Sequence, residues 1–218
     1  MSLCYHRFGQ IATVLVLVVI HAGLAWGQPA AKPRKVALLV GINTYDKRGF
    51  AEQPLQFAER DVTDLKKELE KAGFQATLLT GSAKGPQRAT KANIEKALTT
   101  LLQGLNSTDI VLIGLAGHGQ QVSVKDKEDA FFCPVDAEKN APETLVSLTG
   151  LMEKLDRKGG TNLVLVDACR DDPSRGVRSI AGNELQGRLP ANTAVLFSCA
   201  ARQQALETDQ AGGGHAPG

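Results

Sequence analysis

Hydrophobic and polar positions follow two periods along this chain. Lys35–Ile42 is a continuous apolar run, the pattern of a strand buried on both faces. Phe74–Thr80, Asp109–Ala116, Asn162–Val166 and Thr193–Ser198 read as four more strands. Between the first two, Ala58, Val62, Leu65, Leu69 and Ala72 step by four and three along Phe57–Ala72, which marks one face of a helix that Gly73 ends. A second helix is predicted over about Thr90–Leu105, with Ile94, Ala97, Leu98, Leu101, Leu102 and Leu105 inward, and a third over Leu148–Lys158, closed by Gly159 and Gly160. Strands that alternate with helices predict an α/β fold, a mostly parallel sheet with helices on both faces.

Other stretches are irregular. The charged run Lys125–Asp129 would bend a hairpin between Gln121–Val124 and Ala130–Cys133, Arg170–Pro190 has no sustained period and reads as a long loop, and Ala211–Gly218 carries no predicted element. The first 27 residues hold one arginine and no acid, then an apolar core from Ile11 to Leu24 before Ala25-Trp-Gly27. That is the pattern of a secretory signal peptide cut before Gln28, which predicts export to the periplasm or the extracellular space. An uncleaved segment would instead be a membrane anchor. The expected organisation is signal peptide 1–27, linker 28–35, one domain over 36–207 and a glycine-rich tail 208–218.

Charge adds little. Without Arg7 the chain has 24 Lys and Arg against 23 Asp and Glu, so no basic field for nucleic acid is expected. Cysteine adds more. Cys133, Cys169 and Cys199 remain after the leader, an odd number that predicts one free thiol in an exported protein, with Cys133 and Cys199 either bridged or buried as free thiols.

The chemistry lies where two apolar runs turn polar. Ile110–Ala116 leads into His118, and Leu163–Val166 leads into Asp167 and Cys169. Residues just past neighbouring strands of a parallel sheet converge at its carboxyl end, where an imidazole can take the proton of a thiol and make it a nucleophile. His6 and His21 fall in the leader and His215 in the tail, which leaves His118 as the base for Cys169.

These residues also resemble a family. Asp167-Ala-Cys-Arg-Asp171 is similar to the caspase cysteine signature, whose histidine lies about 50 residues upstream. With Lys35-Val-Ala-Leu-Leu-Val-Gly-Ile-Asn43, Ala116-Gly-His-Gly119 and Cys133-Pro-Val-Asp-Ala137, the chain resembles the paracaspase and metacaspase branch over Val36–Glu207. The resemblance implies a caspase-like three-layer αβα sandwich and a cysteine endopeptidase, with Cys169 as nucleophile, His118 as general acid and base, and the Gly119 amide as an oxyanion donor. It further implies that Asp167, with Asp61, lines an acidic pocket for Arg or Lys of a protein or peptide substrate. Caspase-like domains usually continue past this point into a further strand and helix, so the chain is expected to be short at this end. Its alternative is a catalytically silent caspase-like binding module.

Other chemistries lack their motifs. Neither C-x-x-C nor H-E-x-x-H is present to hold zinc, and nucleotide-binding glycine loops are absent, so no cofactor is expected. Asp126, Glu128 and Asp129 form an acidic cluster of the kind in which some metacaspases bind calcium, without the spacing of an EF-hand. If the pocket takes basic residues, Arg175, Arg178 and Arg188 are candidate self-cleavage sites.

Overall fold

A computed structural model of the chain describes residues 32–124, 127–139, 141–158, 160–169, 189–198, 206–207 and 215–216, without the side chains of 123, 124, 127, 128, 169 and the last four. Met1–Lys32 and Pro33–Gly218 are separate units, and every element below belongs to the second. The predicted leader, the predicted linker up to residue 31, nearly all of the Arg170–Pro190 loop with Arg175, Arg178 and Arg188, and Cys199 lie outside the described residues, whereas the last residue of the predicted linker, Lys35, already opens the first strand. Among the described residues no helix is long and apolar enough to cross a membrane.

The central sheet grows from the apolar runs. Strands β1 (Lys35–Gly41), β2 (Gln75–Thr80), β3 (Ile110–Val124), β6 (Thr161–Cys169) and β7 (Thr193–Phe197) lie in the order β2-β1-β3-β6-β7, every neighbouring pair parallel. Strand alternation divides the core in two. Val36, Leu38 and Val40 of β1, with Val111, Ile113 and Leu115 of β3, face one cluster, whereas Ala37, Leu39, Leu112 and Ala116 face the other.

Helix α1 (Ala58–Lys71) covers the second face with Ala58, Val62 and Leu69. Helices α2 (Lys91–Leu102) and α3 (Leu148–Asp156) cover the first, through Ile94, Leu98 and Leu102 and through Leu148, Leu151, Met152 and Leu155. The outcome is the predicted αβα sandwich. Gly73 ends α1 as expected: it takes a φ of 85°, its N–H donates to Glu70 and that of Phe74 donates to Leu69, which satisfies two terminal carbonyls. Both later helices are shorter than predicted: α2 stops at Leu102 although the apolar pattern runs on to Leu105, and α3 stops at Asp156, two residues before Lys158.

Three differences bear on function. Strand β3 does not stop at Ala116. It runs on through His118 to Val124, and its second half pairs antiparallel with β4 (Lys127–Phe132), which pairs with β5 (Val146–Ser147). Strand β6 likewise continues three residues past Val166, to Cys169. The tail is not without structure either, since β9 (His215–Ala216) pairs antiparallel with β8 (Leu206–Glu207).

Candidate active site

The carboxyl end of the sheet gathers the predicted residues. His118 and Cys169 occupy directly paired positions on β3 and β6, and Asp167 pairs with Ala116 two positions before. His118 and Cys169 are expected just past their strands, where the apolar runs end, but both lie within them. Strand register makes them neighbours: the 50 residues between them are spanned by a crossover that returns to the adjacent strand.

His118 is buried, 7% exposed, and held on three sides. Its N–H donates to the Tyr45 hydroxyl oxygen at 2.7 Å, and its carbonyl accepts from Cys133 N–H at 2.9 Å. The imidazole stacks on Tyr45, with ring centroids 5.0 Å apart, and on Phe50 at 5.9 Å. Its Nε2 lies 2.7 Å from the Gln53 carbonyl oxygen. A carbonyl only accepts, so Nε2 carries the proton, and in the neutral ring Nδ1 is the basic nitrogen. That is the tautomer a general base needs if the acid it deprotonates lies on the Nδ1 side.

Gly117 and Gly119 shape the backbone around it. A Cβ at Gly117 would sit 2.8 Å from Tyr45 Oη and 3.2 Å from the Phe132 ring, so only glycine lets the tyrosine approach. Gly119 faces Phe132 across the hairpin, flanked by the bond from Cys133 N–H to the His118 carbonyl. This makes it a non-hydrogen-bonded pair, whose N–H turns away from β4 and toward the side of β3 where β6 ends at residue 169. An amide so directed suits a developing oxyanion.

The two acids share one end and one face of the sheet. Leu163 and Leu165 of β6 pack on the α1 side, and alternation gives half-buried Asp167 the same face. Its row runs through Ala116 and Gly41. At Gly41 a Cβ would meet Val62 and the Ala58 carbonyl, which fixes the start of α1 there, and half-buried Asp61 lies in that first turn.

Cys133 is a free, fully buried thiol, which removes the bridged alternative, and burial pushes its pKa well above the ordinary thiol range. It is therefore protonated and inert, and packs behind the His118 backbone. Asp129 has a structural partner set: its carboxylate accepts from Ser147 Oγ and Thr149 Oγ1, each at 2.6 Å, while Ser147 caps α3 by accepting from Gly150 N–H. The side chains of Asp126 and Glu128 lie outside the description, and among the described residues no group of acids, histidines or cysteines is arranged to hold a metal ion.

The family model described as Caspase domain matches residues 34–215. The chain belongs to the caspase-domain family. Over 143 residues this caspase domain is 29% identical to metacaspase-1 of Eremothecium gossypii, a match that covers 61% of the chain and 31% of that protein. A crystal structure of a Geobacter sulfurreducens protein resembles it with a TM-score of 0.52 at 26% identity, covering 63% of this chain and 51% of the other. The Drosophila initiator caspase Dronc gives a TM-score of 0.44 at 14% identity, covering 81% and 57%. The caspase domain thus spans less than two thirds of the length of each of these three proteins.

Sequence reading missed Tyr45, Phe50 and Gln53, all on the loop between β1 and α1. Tyr45 carried a positional signal, because it follows the carboxyl end of a buried strand. Gln53 acts through a backbone atom, which has no side-chain signature.

Proposed function

We propose that this caspase domain is a cysteine endopeptidase that cleaves protein or peptide chains after Arg or Lys. The observation that carries the reading is the pairing of His118 with Cys169 on adjacent strands, beside an imidazole whose Nε2–H is fixed by the Gln53 carbonyl. In this mechanism Nδ1 of His118 takes the Cys169 proton, and the thiolate attacks the scissile carbonyl carbon. The Gly119 and Cys169 amides hold the resulting oxyanion. The imidazolium then protonates the leaving amine as the C–N bond breaks, and water, deprotonated by the same ring, releases the acyl group and restores the thiol. Asp167, with Asp61, supplies negative charge for a guanidinium or ammonium group of the substrate, the partner that half-buried carboxylates favour.

The test is hydrolysis of fluorogenic peptides ending in Arg, Lys or Asp, with and without calcium, beside Cys169→Ala. Cleavage after Arg or Lys that drops to background in the variant is expected. Cleavage only after Asp would keep the nucleophile and reject the acidic pocket. No cleavage of any peptide would favour a silent binding module.

A further inference from the structure

Asn43 makes four hydrogen bonds at the point where β1 gives way to the loop that carries Tyr45, Phe50 and Gln53. Its backbone N–H donates to Glu59 Oε1 at 3.2 Å and its carbonyl accepts from Leu55 N–H at 2.8 Å. Its side-chain amide donates from Nδ2 to the Gln56 carbonyl at 3.1 Å and accepts at Oδ1 from Glu59 N–H, also at 3.1 Å. The Glu59 carboxylate in addition accepts from the backbone N–H and the hydroxyl of Ser82, beyond β2. Helix α1 has no cap from its own N-cap residue, Phe57. Asn43 and Glu59 satisfy each other as the two members of a capping box do, across 16 residues instead of three.

The consequence reaches His118. Both ends of the loop are tied at Asn43, so Leu55 and Gln56 have fixed places. Pro54 joins Leu55 to Gln53, its ring fixes its own φ, and it restricts Gln53 to extended backbone. Between the clamp and the Gln53 carbonyl there is one proline, whose ψ is the single backbone torsion its ring and the planar peptides leave free. That carbonyl is the group on His118 Nε2.

We infer that Asn43 and Glu59 are positioning residues, which hold the Gln53 carbonyl on His118 Nε2 and so keep the imidazole in the tautomer with Nδ1 unprotonated. The inference rests on the peptidase reading for its catalytic consequence, though not for its structural one. Neither residue touches substrate. Glu59 works through its acceptor oxygens rather than its charge, so Glu59→Gln preserves the clamp. Asn43→Asp does not, because it replaces the Nδ2 donor and sets a second carboxylate against Glu59.

Nitrogen-15 NMR of the imidazole, assigned against His118→Ala at a pH where the ring is neutral, tests this without relying on turnover. The full chain and Glu59→Gln should show one tautomer, protonated at Nε2. Asn43→Ala, Asn43→Asp and Glu59→Ala should show a mixture of both. Peptide hydrolysis should fall by about 10–100-fold in kcat in those three variants, with KM changed less than about twofold, and return in Glu59→Gln. A single Nε2–H tautomer in folded Asn43→Ala overturns the inference whatever the activity. Loss of fold in both alanine variants overturns it as well, since the clamp would then be a folding element. If the full chain cleaves nothing, the peptidase reading fails alone and the tautomer still decides this one.

Discussion

Gly117→Ala probes the contact on which the His118 backbone depends. The added Cβ would lie 2.8 Å from Tyr45 Oη and 3.2 and 3.3 Å from two atoms of the Phe132 ring, and neither ring can swing away in a packed core. Overpacking of this kind costs about 1–3 kcal/mol. The φ of 155° at residue 117 adds about 1 kcal/mol for a residue with a side chain. A total near 3 kcal/mol is large against the roughly 5–15 kcal/mol by which domains are stable. Tyr45→Phe alone leaves the buried His118 N–H without its acceptor, at a cost of about 1–3 kcal/mol. In the double variant the missing hydroxyl makes room for the methyl group, so the two penalties overlap. Urea unfolding of all four proteins, compared at constant m, should give a double variant at least about 1 kcal/mol more stable than the sum of the singles predicts. Additivity within about 0.5 kcal/mol would refute the idea that Oη occupies the space over Gly117.

Two further outcomes concern pH. Burial raises the Cys133 pKa in the folded state above its unfolded value, so its contribution to stability is complete below about pH 8.5 and is lost as pH rises beyond it; Cys133→Ala should flatten that alkaline loss in urea titrations, and native Cys133 should resist iodoacetamide until the chain unfolds. Asp109 moves the other way: bonds from the N–H groups of Asn106 and Arg34, then the Arg34 guanidinium, lower its pKa. Its contribution is therefore present above about pH 4 and is lost as pH falls through the lowered folded value. Asp109→Asn should make acid unfolding less steep, which circular dichroism between pH 2 and 6 checks.

Strands β1, β3 and β6 were legible because burial on both faces demands continuous apolar runs, and α1 because its period and Gly73 agree. The ends of β3 and β6 were not. Hydrophobicity stops at Ala116 and Val166, but backbone pairing carries the strands through His118 and Cys169, since hydrogen bonds and not side-chain polarity define a strand. A reader of the sequence sees two reactive residues leave the sheet, whereas the register keeps them in it. The pairing of Asn43 with Glu59 was equally hidden, because a capping signal is sought three residues apart and these are 16 apart. The charged run Lys125–Asp129 marks the predicted hairpin of β3 and β4, but its polarity does not mark where β4 begins, since Lys127–Asp129 already pair with β3.

Laying His118 and Cys169 side by side on adjoining strands has a consequence for control. Their backbone separation is set by the same ladder that holds the sheet together, so no hinge or domain closure can part them without melting the centre of the molecule. A switch acting on this pair has two handles left, the approach of a substrate to the sheet end and the orientation of the imidazole, and the second is governed by a loop that belongs to neither strand.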